Sequence, residues 1–165
     1  MGQRMMPAQR PASSKQDYQT PDDFLQAVKR RLGIFAFGLD IAASPSNAVA
    51  KRYFTKQDNA LLQLSWKSPG KQWSWLNPPF GEIAPFAARC LEDRRRQGAQ
   101  IALLVPASVG ANWWGASVHR KARVVFLNGR ITFVGETDPY PKDCALVLYS
   151  PELRAGYDFW RWQAS

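Results

Sequence analysis

Trp73-Ser74-Trp75-Leu76-Asn77-Pro78-Pro79-Phe80 alternates aromatic and polar residues, then stops at an amide, two prolines and a ring. The alternation predicts a buried strand and the prolines a rigid loop at its end. Neither proline has an N–H to donate, so regular structure does not use up the Pro78 carbonyl, which is free to face a ligand. Asn77 sets a side-chain carbonyl beside it. Two fixed acceptors with the flat face of Phe80 beyond them suit a planar group bearing an NH2, such as an amino-purine or amino-pyrimidine.

The Asn-Pro-Pro-aromatic signature resembles the catalytic motif of S-adenosylmethionine-dependent amino methyltransferases. Further stretches are similar to the phage-type DNA N6-adenine methyltransferase (Dam) family, in the same order from Tyr18 to Tyr149. The first is Tyr18-Gln19-Thr20-Pro21. Read locally, Thr20 is the N-cap of a helix with Pro21 at its first position and Asp22 and Asp23 at the positive end of its dipole. The helix runs through Phe24, Leu25 and Val28 toward Leu32 and stops at Gly33. The resemblance adds a place for Thr20 and Pro21 beside the cofactor.

Residues 34–39 predict a strand that ends at Asp40-Ile41-Ala42-Ala43-Ser44. A carboxylate at the C-terminal end of a strand in an open α/β sheet stands where ligands bind, which makes Asp40 the leading cofactor residue. The Asp-x-Ala-Ala-Ser segment has its counterpart in the family, and the resemblance adds Ala42. No glycine-rich loop follows, a departure from the wider methyltransferase pattern, so Ala42, Ala43 and Ser44 must allow the close approach. Asp58, between this strand and the Asn77 strand, resembles a position that contacts the cofactor's adenine. It is equally a cap for the local turn.

After the proline loop, residues 81–97 predict a helix with Ile83, Phe86, Ala87, Cys90 and Leu91 on one face. The continuous apolar run Ile101-Ala102-Leu103-Leu104-Val105-Pro106 predicts a strand covered on both faces. Asn112, Trp113 and Trp114 open a further helix, and residues 123–127 form another strand. Asn128-Gly129 signals a turn, with residues 130–133 returning as a strand. Gly-Arg-Ile-x-Phe there again resembles the family, which implies that Arg130 faces the nucleotide pocket. Residues 134–143, with Gly135, Pro139 and Pro141, form a loop over the site, and Cys144 to Tyr149 is the last strand. The aromatic end, with Tyr157, Phe159, Trp160 and Trp162, docks on the domain.

The chain has 165 residues, enough for one sizeable core. Residues 1–16 read as a disordered basic arm and 17–165 as a single methyltransferase domain. Strand and helix alternation predicts an α/β, Rossmann-like S-adenosylmethionine-dependent methyltransferase fold: a mostly parallel central sheet flanked by helices. A formal net charge of +9 favours an anionic partner, and 13% aromatic residues exclude a disordered basic chain. DNA is the expected partner, contacted by Lys51, Arg52 and Arg130. Two separated cysteines and one histidine offer no metal site or disulfide framework. With no apolar run long enough for a bilayer, the expectation is a cytoplasmic monomer or weak homodimer. The resemblance implies a bacterial host cell and a phage or prophage origin.

The expected activity is transfer of a methyl group from S-adenosylmethionine to the amino group of a flipped adenine, with Asn77, Pro78, Pro79 and Phe80 as the catalytic loop. Thr20, Pro21, Asp40, Ala42, Asp58 and Asn77 would serve the cofactor. The same acceptors suit cytosine N4, adenine in RNA or a glutamine amide, and the charge disfavours only the last. A non-catalytic DNA-binding protein of the same fold is the remaining alternative.

Overall fold

The computed structural model describes residues 18–164, so the segment 1–16, expected to be a disordered basic arm, lies outside the described residues. Three helices, α1 (Asp22–Leu32), α2 (Ile83–Gln97) and α3 (Asn112–Ser117), flank six strands. The strands are β1 (Leu39–Asp40), β2 (Ser74–Leu76), β3 (Ile101–Pro106), β4 (Arg123–Asn128), β5 (Cys144–Tyr149) and β6 (Gly156–Arg161). They form one sheet in the order β1-β2-β3-β5-β4-β6.

The sheet is mixed, which corrects the expectation of a mostly parallel one. β1–β2, β2–β3 and β4–β6 pair in parallel, but β5 lies antiparallel between β3 and β4. The cause is the connection: residues 129–143 contain no helix, and a parallel return needs a crossover long enough to traverse the sheet, usually a helical one. β6 is a second departure, because Cys144–Tyr149 is not the last strand: the aromatic C-terminal run pairs with β4 instead of only docking.

β3 and β5 are buried along their whole length, as a continuous apolar run requires when both faces are covered. Their alternate residues divide the core. Ile101, Leu103, Val105, Ala145, Val147 and Tyr149 pack on the side of α2 and α3. Ala102, Leu104, Leu146 and Leu148 pack on the side of α1, with Phe24, Leu25 and Val28. α1 and α2 both end at a glycine in the left-handed region, Gly33 at φ 67° and Gly98 at φ 68°, behind basic last turns that suit the dipole.

Three local expectations are corrected. Thr20 does not cap α1: Pro21 holds the N-cap position, and within the first turn it is Asp23 whose Oδ1 accepts from Phe24 N–H at 2.7 Å. Thr20 is buried, and its hydroxyl is engaged elsewhere. The first strand is only Leu39–Asp40, since residues 34–38 are mostly irregular and Gly38 N–H donates to Trp73 O as the chain arrives. Residues 130–133 form no strand. The turn at Gly129 exists, at φ 106°, but Val134 N–H then donates to Gln19 O and Tyr140 N–H to Ile131 O. These bonds draw the segment over the C-terminal ends of the strands, away from a hairpin partner.

Candidate active site

Asn77 follows the last residue of β2, close to the end of β1, while β3 runs on past Leu103 to Pro106. Its Nδ2 donates to Tyr18 O and to Thr20 Oγ1, the latter at 3.0 Å. Those acceptors settle which way the carboxamide faces. Oδ1 is left buried without a hydrogen-bond partner. An orphaned buried acceptor costs about 1–3 kcal/mol, so one held at a strand end is an attachment point for an incoming donor. Among the described residues no backbone donor occupies the Pro78 carbonyl, whereas the Pro79 carbonyl accepts from Glu82 N–H at 3.0 Å.

Phe80 closes the loop at the seam of the two core layers, packing against both. Its ring lies 5.5 Å from Tyr18, 6.0 Å from Phe133 and 5.4 Å from Tyr140. Tyr18, Phe133 and Tyr140 also meet one another at 4.9–5.7 Å, which completes a group of four rings beside the amide. Sequence reasoning missed the site role of Tyr18, Phe133 and Tyr140. A signal was present: Tyr140 lies between two prolines, the same pairing of ring and rigid backbone that marks Asn77 to Phe80. Burial pushes the Tyr140 phenol up, which keeps it protonated and able to donate.

Asp40 is buried at the end of β1, one strand over from Asn77. Its Oδ1 accepts from Ala42 N–H at 3.3 Å and its Oδ2 from Val49 N–H at 3.0 Å, so the carboxylate shapes the loop of residues 41–49. Burial raises its carboxyl to about 6, against the lowering effect of the Val49 and Ala42 bonds. Pro21 lies beside Thr20 at the head of α1. The structure thus brings Thr20, Pro21, Asp40, Ala42 and Asn77 to one edge of the sheet. Asp58 lies in an exposed turn, where its Oδ2 accepts from Thr55 N–H at 2.7 Å and Thr55 Oγ1 at 2.9 Å. The Thr55 backbone bond, then the hydroxyl, hold this carboxyl below its usual range.

Arg130 is exposed and paired with Asp143 at 3.2 Å. Lys51 and Arg52 are exposed, with the Arg52 guanidinium 5.7 Å from the Phe54 ring. A cavity of about 390 Å³ borders Phe80 and Trp113 along the start of α2. A larger one, about 540 Å³, opens at the opposite edge of the sheet, where Arg123 and Arg31 both pair with Asp158. The unpartnered Asn77 carbonyl lies at the Phe80 edge and not at the larger cavity. Among the described residues no group of acidic, histidine and cysteine side chains could hold a metal, and no helix is long and apolar enough to cross a membrane.

A family model described as DNA N-6-adenine-methyltransferase (Dam) matches residues 8–149, most of the chain. A DNA N-6-adenine-methyltransferase from Escherichia phage T1 is 24% identical over 157 residues, covering 95% of this chain and 63% of the relative. The chain therefore spans somewhat less than two thirds of that relative's length.

Proposed function

We propose that this chain, which belongs to the DNA N-6-adenine-methyltransferase (Dam) family, methylates the N6 amino group of an adenine flipped out of DNA, with S-adenosylmethionine as donor. The observation that carries this reading is the buried, unpartnered Oδ1 of Asn77, held in place through its own Nδ2. The mixed sheet with helices on both faces is compatible with a methyltransferase-like fold, and we read it as Rossmann-like, in one domain acting in the bacterial cytoplasm as a monomer or weak homodimer.

An adenine inside a duplex hides its amino group and must leave the stack. The rings of Tyr18, Phe80, Phe133 and Tyr140 offer it π-faces and edges next to Asn77. Asn77 Oδ1 and the Pro78 carbonyl accept the two amino hydrogens. That favours a pyramidal nitrogen and turns its lone pair toward the donor, and both acceptors are already oriented, so little reorganisation is needed at the moment of reaction. The positive charge developing on the nitrogen strengthens both hydrogen bonds. The surplus proton then leaves to water.

The residues fit the donor's site. Thr20, Pro21, Asp40 and Ala42 lie at the strand ends around Asn77, and the small side chains of Ala42, Ala43 and Ser44 permit close approach to the loop that Asp40 braces. Bound there, S-adenosylmethionine supplies an electrophilic methyl group on a sulfonium. Asp58, exposed in its turn, would reach only an outer part of the cofactor. Lys51, Arg52 and Arg130 would contact the DNA backbone.

Tritiated S-adenosylmethionine with DNA, followed by nucleoside digestion, tests the proposal. The expected label is in N6-methyladenine, lost in Asn77→Ala while cofactor binding and circular dichroism persist. Label in N4-methylcytosine, or near-normal transfer by Asn77→Ala, would overturn it.

A further inference from the structure

β6 is the edge strand beside β4, and its two faces differ. On the α1 side Trp160 packs on Phe24 at 6.3 Å under the Arg31 guanidinium, 4.9 Å from the ring centre. Asp158, the strand's one carboxylate, faces Arg123 and Arg31. On the other side the alternate residues Tyr157, Phe159 and Arg161 are exposed, Phe159 at 64%. α3, the helix on this side whose Trp114 reaches the Phe126 ring of β4, has only six residues, about 9 Å of helix, too short to cover the edge strand as well.

We propose that this bare face of β6 is a stacking platform for an unpaired DNA strand, a nucleic-acid contact separate from the methyl-transfer site. Three observations favour that occupant. Tyr157 and Phe159 are two residues apart on one pleat, about 6.6 Å along the strand, wider than the ~3.4 Å base spacing of a duplex and suited to splayed bases. Tyr157 is preset: its ring lies 5.4 Å from Phe126 with planes 7° apart, Phe126 lies 6.3 Å from Trp114 at 8°, and its hydroxyl meets His119 Nδ1 at 2.6 Å. A ring already fixed loses little entropy when a base stacks on it.

The charge also matches a polyanion. Arg161 sets its guanidinium 6.0 Å from the Phe159 ring. Arg154, just before β6, and Arg120, next to His119, are exposed, and the strand's carboxylate is turned to the opposite face. Rings interleaved with arginines are how sequence-tolerant sites hold single strands. β6 runs parallel to β4, and both run in the same direction as β2, so the Arg161 end lies at the edge of the sheet that carries Asn77. A strand leaving that edge can descend along β6.

Fluorescence anisotropy with a short labelled oligothymidylate, in the absence of cofactor, tests this apart from methyl transfer. Phe159→Ala is expected to weaken binding at least about fivefold, the lower end of what one base–aromatic stack contributes. Phe159→Trp should restore it, and a duplex of equal length should bind both variants alike. Unchanged oligothymidylate affinity in Phe159→Ala, or an equal loss on duplex, overturns the proposal. So does sedimentation showing a dimer that Phe159→Ala dissolves, because a second copy would then own this face.

Discussion

Replacing Thr20 by Val keeps the shape of a buried side chain and removes only the oxygen that Asn77 Nδ2 meets at 3.0 Å. The Tyr18 carbonyl still accepts from the same nitrogen, so the carboxamide is loosened but not released. A neutral hydrogen bond is worth about 1 kcal/mol net, which corresponds to roughly fivefold if it acts wholly on orienting Oδ1. Single-turnover methyl transfer by Thr20→Val should therefore fall about fivefold, and Thr20→Ser, which keeps the oxygen, should recover most of it. The midpoint of thermal unfolding should drop by about 2–4 °C. Helix content should not change, since the Thr20 hydroxyl is bonded to Asn77 and does not cap α1. A Thr20→Val variant at full single-turnover rate, or one that loses α1 helicity, would refute the assignment of Thr20 as the residue that positions Asn77.

Asp40 predicts a pH dependence. Burial raises its carboxyl from 3.8 to about 6, so the folded chain holds this proton more tightly than the unfolded chain does. Its contribution to stability is complete below pH 3.8 and is lost as pH rises through about 6, on the order of 3 kcal/mol at about 1.4 kcal/mol per pH unit. Chemical denaturation from pH 4 to 7.5 should show that loss in the wild type but not in Asp40→Asn, and a pH-independent difference between the two would contradict it. Asp93, buried in α2, accepts from Trp66 N–H and from Arg89 Nε, both at 2.8 Å, while Arg89 also reaches Leu61 O and Gln63 O. Asp93→Ala leaves Arg89 without its counter-charge and should cost about 3–5 kcal/mol in urea denaturation. A loss under 1 kcal/mol would show that residues 60–66 hold to α2 without this pair.

The candidate loop from Asn77 to Phe80 was legible because its chemistry is local. Asn77, Pro78, Pro79 and Phe80 are consecutive, and the absence of proline N–H groups and the presence of an amide follow from residue type alone. β3 and β5 were legible for a similar reason, since six consecutive apolar residues leave little choice but a strand buried on both faces. Asp40 was placed at a strand end, although the preceding strand proved to be two residues long.

What sequence alone could not decide was which distant groups compete for the same partner. Thr20 has every local property of an N-cap, yet its hydroxyl bonds to a side chain 57 positions away. Residues 130–133 alternate like a strand, but Tyr140 N–H claims Ile131 O, and Gln19 O claims the N–H of Val134 just beyond. The sheet became mixed because the segment between β4 and β5 lacks a helix, and the aromatic cage formed because Tyr18, Phe80, and the pair Phe133 and Tyr140 converge from three parts of the chain. Residue type and spacing determined the donors, the acceptors and the apolar faces. Tertiary structure decided their pairing, because hydrogen bonds and ring contacts depend on proximity in space, which local propensity does not encode.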